Sequence, residues 1–202
     1  GIYLRRATLA ALLSVVSSFA YNAVAFGLPV IISSFFVQSM LTTILISLAL
    51  NLLFAFVGGL LAVRYVPRFG AWRMSLAGYA CQLAALLGLG LIGRPEGATE
   101  GVLAVAMLAR FLFGQGFGPG AHTMTFASLS YPTSLRGVGV GLNQTLMRSS
   151  STLSLFLFPL LVASLDTAVF WVIALAPFIG LASLLAIRWE PSGYDVDAED
   201  YR

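Results

Sequence analysis

Residues 7–63 read ATLAALLSVVSSFAYNAVAFGLPVIISSFFVQSMLTTILISLALNLLFAFVGGLLAV, 57 positions without one charged side chain. A span of the hydrocarbon core takes about 20 apolar residues, so this stretch is too long for one crossing. Its only polar interruption of suitable size is Val37-Gln38-Ser39. That divides it into a first helix near 8–36 and a second near 40–63. The runs do not alternate apolar and polar, which argues against a membrane β-barrel.

The rest of the chain repeats the pattern. Apolar runs near 74–93, 102–129, 137–163 and 167–187 are separated by Gly93-Arg94-Pro95-Glu96-Gly97, by Tyr131-Pro132-Thr133-Ser134 and by a short segment at Asp166. Proline and glycine clusters break helices. The expectation is an all-α polytopic membrane protein with six transmembrane helices over residues 1–188, followed by an acidic tail, 189–202, on the cytoplasmic side.

Composition agrees. The 202 residues are 59% hydrophobic and 9% charged, with a mean hydropathy of +0.93. Soluble domains carry about 25% charged residues. There is no lysine, and the arginines make no basic stripe, which excludes nucleic acid as a partner. One cysteine, Cys81, and one histidine, His122, cannot build a metal site, and nothing implies a cofactor. The chain starts at Gly1 and its first methionine, Met40, lies between two apolar runs. It is therefore expected to be a piece of a longer product.

Arginine sets the orientation. Arg5, Arg6, Arg64, Arg68, Arg73, Arg136 and Arg188 all fall on one side of the six-span arrangement. The opposite loops hold only Arg94, with Glu96, Glu100 and Asp166. The positive-inside rule makes the arginine-rich side cytoplasmic, with both ends inside. Abundant Ala, Leu and Arg without lysine suggests a GC-rich coding sequence and a bacterial inner membrane.

Two arginines remain inside spans. Arg148 lies twelve residues past Arg136, about 18 Å along a helix, close to the midplane of a core about 30 Å thick. Arg110 is shallower. A charge at that depth faces a bundle interior or a wet cavity. It either meets a solute or makes a structural pair. Gln144, Arg148 and Ser151 share one face of the fifth helix, flanked by Asn143 and Thr152. In the first helix Ser14, Ser18, Tyr21 and Asn22 share another. Candidate solute contacts are Tyr21, Asn22, Asn143, Gln144 and Arg148. Arg110, Gln115 and His122 are candidates for a polar relay. Interhelical hydrogen bonding accounts for such residues equally well. Glycines in Gly114-Gln115-Gly116-Phe117-Gly118-Pro119-Gly120 fit close packing, and Pro119 a kink. No Asp or Glu lies inside a span.

These motifs resemble those of the major facilitator superfamily, helices seven to twelve of twelve. Gly59-Leu60-Leu61-Ala62-Val63-Arg64 with Arg68-Phe69-Gly70-Ala71-Trp72-Arg73 is similar to the family's cytoplasmic Gly-x-Leu-Ala-Asp-Arg-x-Gly-Arg-Arg signature, with Val63 at the Asp position. Tyr131-Pro132-Thr133-Ser134-Leu135-Arg136-Gly137-Val138-Gly139-Val140-Gly141 resembles the segment joining helices ten and eleven in sugar-porter and metabolite-symporter members. Arg110-x-x-x-Gly114 is similar to a helix-four pattern and its pseudo-repeat. The resemblance implies two inverted three-helix repeats and alternating-access transport of a small polar solute such as a metabolite, organic acid or sugar, coupled to protons. It also implies a missing amino-terminal six-helix half, and gating loops at Arg64, Arg68, Arg73 and Arg136. A complete half-size homodimeric carrier and a non-transporting membrane protein remain open. An intramembrane serine protease lacks its Gly-x-Ser-Gly turn.

Overall fold

The computed structural model describes residues 2–36 and 39–193. It is 90% helix, with no strand among the described residues. The elements are α1 (Ile2–Phe35), α2 (Met40–Leu50), a π-helical turn (Asn51–Ala55), α3 (Phe56–Phe69), α4 (Ala71–Ile92), α5 (Ala98–Phe117), α6 (Pro119–Leu129), α7 (Thr133–Leu165), a 3-10 turn (Asp166–Ala168) and α8 (Val169–Ala186). Among the described residues five stretches are long and apolar enough to cross a membrane: Tyr3–Ser33, Met40–Phe69, Ala71–Ile92, Ala98–Leu129 and Thr133–Ala186. The last contains α7 and α8, interrupted at Asp166, whose φ is 51°.

Local chemistry sets the boundaries. Ser39 caps α2, its hydroxyl accepting from the Thr42 amide at 3.3 Å. Gly70, at φ 82°, ends α3 and starts α4, and Gly93, at φ 66°, ends α4. A side chain at either would be strained in that left-handed backbone. At Gly70 an added Cβ would also collide with the Glu190 carboxylate.

Several boundaries differ from the sequence reading. Arg64 and Arg68, read as loop residues, lie in the last turns of α3, and Pro67 is inside that helix. Neighbouring helices tolerate such prolines in membrane proteins, so the loop shrinks to Gly70, with Arg73 in the first turn of α4. The break near Pro119 falls one residue earlier, at Gly118, and Pro119 opens α6. Trp189 and Glu190, read as the start of the tail, are packed rather than free: Trp189 is 8% exposed. Asp195, Asp197, Glu199 and Asp200 lie outside the described residues.

α1 runs through the middle of the bundle, packing on α7, α8 and α6, while α4 packs on α5 and α8. The core combines Leu9, Leu13, Val24, Leu28, Tyr79, Leu86, Leu108, Phe111, Phe126 and Phe170. The Tyr79 hydroxyl donates to the Leu13 carbonyl at 3.0 Å, so the buried phenol is satisfied.

Glycines bring the backbones together. A Cβ at Gly78 would sit 2.5 Å from the Gly118 Cα and 2.6 Å from the Gly114 carbonyl. A Cβ at Gly58 would lie 2.6 Å from the Phe113 carbonyl, and one at Gly116 would collide with the carbonyl of Ala55 in the π turn. Gly59 has open space around it. Gly116→Ala is expected to cost about 1–3 kcal/mol through overpacking, and Gly59→Ala nothing or a slight gain. Thermal unfolding in detergent checks the pair; equal midpoints would contradict the contact.

Candidate functional site

The first and fifth apolar stretches are zipped by hydroxyls. Ser150 donates to the Val15 carbonyl and Ser154 to the Phe19 carbonyl, both at 2.8 Å. Ser18 and Ser151 lie 2.6 Å apart, and Ser18 also reaches the Met147 carbonyl at 2.9 Å. Asn22 extends the zipper, its Nδ2 donating to Ser151 Oγ at 3.1 Å and to the Ser18 carbonyl at 2.7 Å. These bonds fix α1 against α7 with their polar faces toward one another.

Beside this seam is a cavity of about 290 Å³ lined by Ser17, Ser18, Tyr21, Asn22, Phe26, Gln115, Gly120, Thr123, Met147, Arg148 and Ser151. Four predicted residues meet there: Tyr21 and Asn22 from α1, Gln115 from α5 and Arg148 from α7. Tyr21 donates to Asn51 Oδ1 at 3.1 Å, tying the wall to the first residue of the π turn. Isolated π turns recur at functional sites. Among the described residues no carboxylate pairs with Arg148. Its guanidinium is a fixed cation with five donors.

Behind the wall lies a buried amide chain. Gln82 Nε2 donates to Gln115 Oε1 at 2.6 Å, and Gln115 Nε2 donates to Ser17 Oγ at 3.0 Å. Gln82 is fully buried and Gln115 is 7% exposed.

The other predicted residues are elsewhere. Asn143 is 1% exposed and donates to the Gly139 carbonyl at 2.9 Å and the Tyr131 hydroxyl at 3.2 Å. It holds Tyr131 against Gly139, where a Cβ would strike the ring. Gln144 is half-buried, its Nε2 2.7 Å from the Met124 sulfur. Arg110 is on the exposed face of α5, and His122 is buried in α6. Among the described residues no hydrogen bond links Arg110, Gln115 and His122 to one another. Arg64, Arg68 and Arg73 are exposed, and Arg136 is half-buried. Sequence reasoning missed Ser17, Asn51 and Gln82. The available signal was an uncharged polar residue inside each apolar run.

The family model for "Sugar (and other) transporter" matches residues 1–187. The chain belongs to the sugar (and other) transporter family. That family lies in the major facilitator superfamily, and with the five apolar stretches it makes this an integral membrane protein of a transporter, not an enzyme, family. No curated protein matches the chain. The fold resembles solved peptide transporters of the POT type. One in complex with sulfate has a TM-score of 0.69 at 16% identity, covering 98% of this chain and 42% of that one. Another, a mutant in complex with alafosfalin, has a TM-score of 0.68 at 16% identity, covering 93% and 39%. The chain thus spans about two fifths of those transporters. Among the described residues no three His, Cys, Asp or Glu cluster to hold a metal.

The amide chain makes a measurable claim. Gln115→Leu strands the Gln82 amide in the core, at a cost of about 1–3 kcal/mol. Adding Gln82→Leu should recover part of that loss, since contacting residues couple by about 0.5–3 kcal/mol. A double-mutant cycle on unfolding in detergent reads the coupling, and strict additivity would dissolve the pair.

Proposed function

We propose that the chain is the carboxyl-terminal six-helix half of a twelve-helix carrier that moves a small polar solute by alternating access. The observation that carries this reading is the cavity at the α1–α7 seam, where an uncompensated guanidinium stands among hydroxyls and amides with no carboxylate in the lining.

The packing supports two inverted repeats. Take α1, the α2–α3 helix and α4 as one triplet, and α5–α6, α7 and α8 as the other. The α1–α7 contact then has its counterpart in α3–α5, and α4–α5 in α1–α8, while α4–α8 maps onto itself. Such a swap is what an in-plane pseudo-twofold axis produces. The third triplet element in each case completes six crossings. Both termini lie on the cytoplasmic side of a bacterial inner membrane, following the arginine asymmetry.

In this reading Tyr21, Asn22, Gln115 and Arg148 form this half's share of the solute site. The missing amino-terminal half supplies the opposing wall. Proton coupling then draws on a carboxylate of that other half, because none lines this half's cavity.

Two experiments test it in the full-length carrier. Proteoliposome uptake of a radiolabelled panel of small carboxylates and hexoses identifies a transported probe. Arg148→Lys should lower its uptake about tenfold or more, since a lysine cannot reproduce a forked charged hydrogen bond, with insertion unchanged. Wild-type uptake would remove Arg148 from the site. Cysteines at Ser134 and Glu96, in a Cys81→Ala background, should react with an impermeant maleimide from opposite faces; the same face would overturn the orientation.

A further inference from the structure

Three guanidiniums from three separate elements converge at one end of the bundle. Arg68 comes from the last turn of α3, Arg73 from the first turn of α4, and Arg188 from just beyond α8. With Phe69, Gly70, Trp72, Trp189 and Glu190 they line a cavity of about 440 Å³. All three arginines are exposed, and among the described residues none forms an ion pair.

Among the described residues the one carboxylate in the lining is already engaged. Glu190 Oε1 accepts from the Ala71 amide at 2.9 Å and the Ser192 amide at 3.0 Å, and Oε2 accepts from the Trp72 amide at 2.9 Å. It answers the amino-terminal end of α4 rather than the arginines. Among the described residues the lining holds three arginines against one carboxylate.

Its depth is set by the apolar stretches. Met40–Phe69 ends, Ala71–Ile92 begins and Thr133–Ala186 ends at this cavity. It therefore lies at the boundary of the hydrocarbon, where headgroups sit. Trp72, half-buried in the lining, suits this level, where tryptophans are enriched. Trp72 is anchored by donating its indole N–H to the Leu184 carbonyl at 2.9 Å. Tyr65 and Phe69, exposed on α3 with ring centroids 6.0 Å apart, continue an apolar track from Phe69 back along the helix.

We propose that this cavity binds the phosphodiester of an anionic phospholipid, with Arg68, Arg73 and Arg188 holding the headgroup and the aromatic track receiving an acyl chain. A free inorganic anion would use the guanidiniums but not the apolar track. The chain's own acidic residues 194–202 would compete for the charge but belong to a different occupant.

The test uses the full-length protein purified in detergent, with native mass spectrometry and thermal unfolding against phosphatidylglycerol, phosphatidylcholine and inorganic phosphate. Phosphatidylglycerol is expected to be retained in preference to phosphatidylcholine and to raise the unfolding midpoint. The triple variant Arg68→Gln, Arg73→Gln, Arg188→Gln should lose on the order of a hundredfold of that preference, with its midpoint in phosphatidylcholine unchanged. If the triple variant does not fold, Arg188→Gln alone carries the test, with a roughly fivefold loss. Equal retention of the two lipids, or undiminished preference in the variant, overturns the site. A midpoint shift reproduced by inorganic phosphate overturns the lipid as its source. Truncation after Gly193 should leave the preference intact; a preference that appears only after truncation assigns the cavity to the tail and overturns the proposal.

Discussion

Helices in lipid gain little by burying leucine against leucine, so contact between backbones has to hold the bundle. Here that contact is made where side chains are absent. Gly78 faces Gly114 and Gly118, Gly58 faces the α5 backbone, and Gly116 faces the π turn. α5 is clamped on two sides by α4 and by the α2–α3 helix. Everything α5 positions, including Gln115 at the cavity wall, depends on that clearance. The non-helical Gly118 sits in the same contact, so the break before α6 is itself packed.

The membrane class, the main apolar runs and the family motifs were readable because they are properties of the chain alone. Charge depletion over residues 7–63 needs no tertiary knowledge. The errors lie where a neighbour decides. Pro67 suggests a loop, but α3 runs on to Phe69 and stops at Gly70 because the backbone there turns left-handed. Periodicity put Ser14, Ser18, Tyr21 and Asn22 on one face and Gln144, Arg148 and Ser151 on another; of these, Ser14 and Gln144 do not line the cavity. It could not say that Asn143 serves Tyr131 and Gly139 instead of the cavity. Gln82 was invisible as a partner, since its meaning comes from Gln115, 33 residues away.

The cavity wall is stiff on the protein's side. Four serines and Asn22 spend their donors on backbone or on one another across α1 and α7. Arg148 has no such commitment among the described residues. The arrangement separates the two kinds of side chain: short ones hold the two helices, and one long cationic one lines the cavity without a partner among the described residues. Tyr21 ties the wall to the π turn through Asn51.

The carboxylate at Glu190 has a consequence in time. It meets the Trp72 amide across 118 positions of sequence. At ribosomal speeds of roughly 5–20 residues per second, α4 emerges roughly 6–24 s before the group that satisfies its first amides exists. Until then that helix end has only water and lipid headgroups to bond. A residue made 118 positions later finishes the start of α4, so a nascent product cut short at Arg188 would carry the five apolar stretches described above and still lack that stitch.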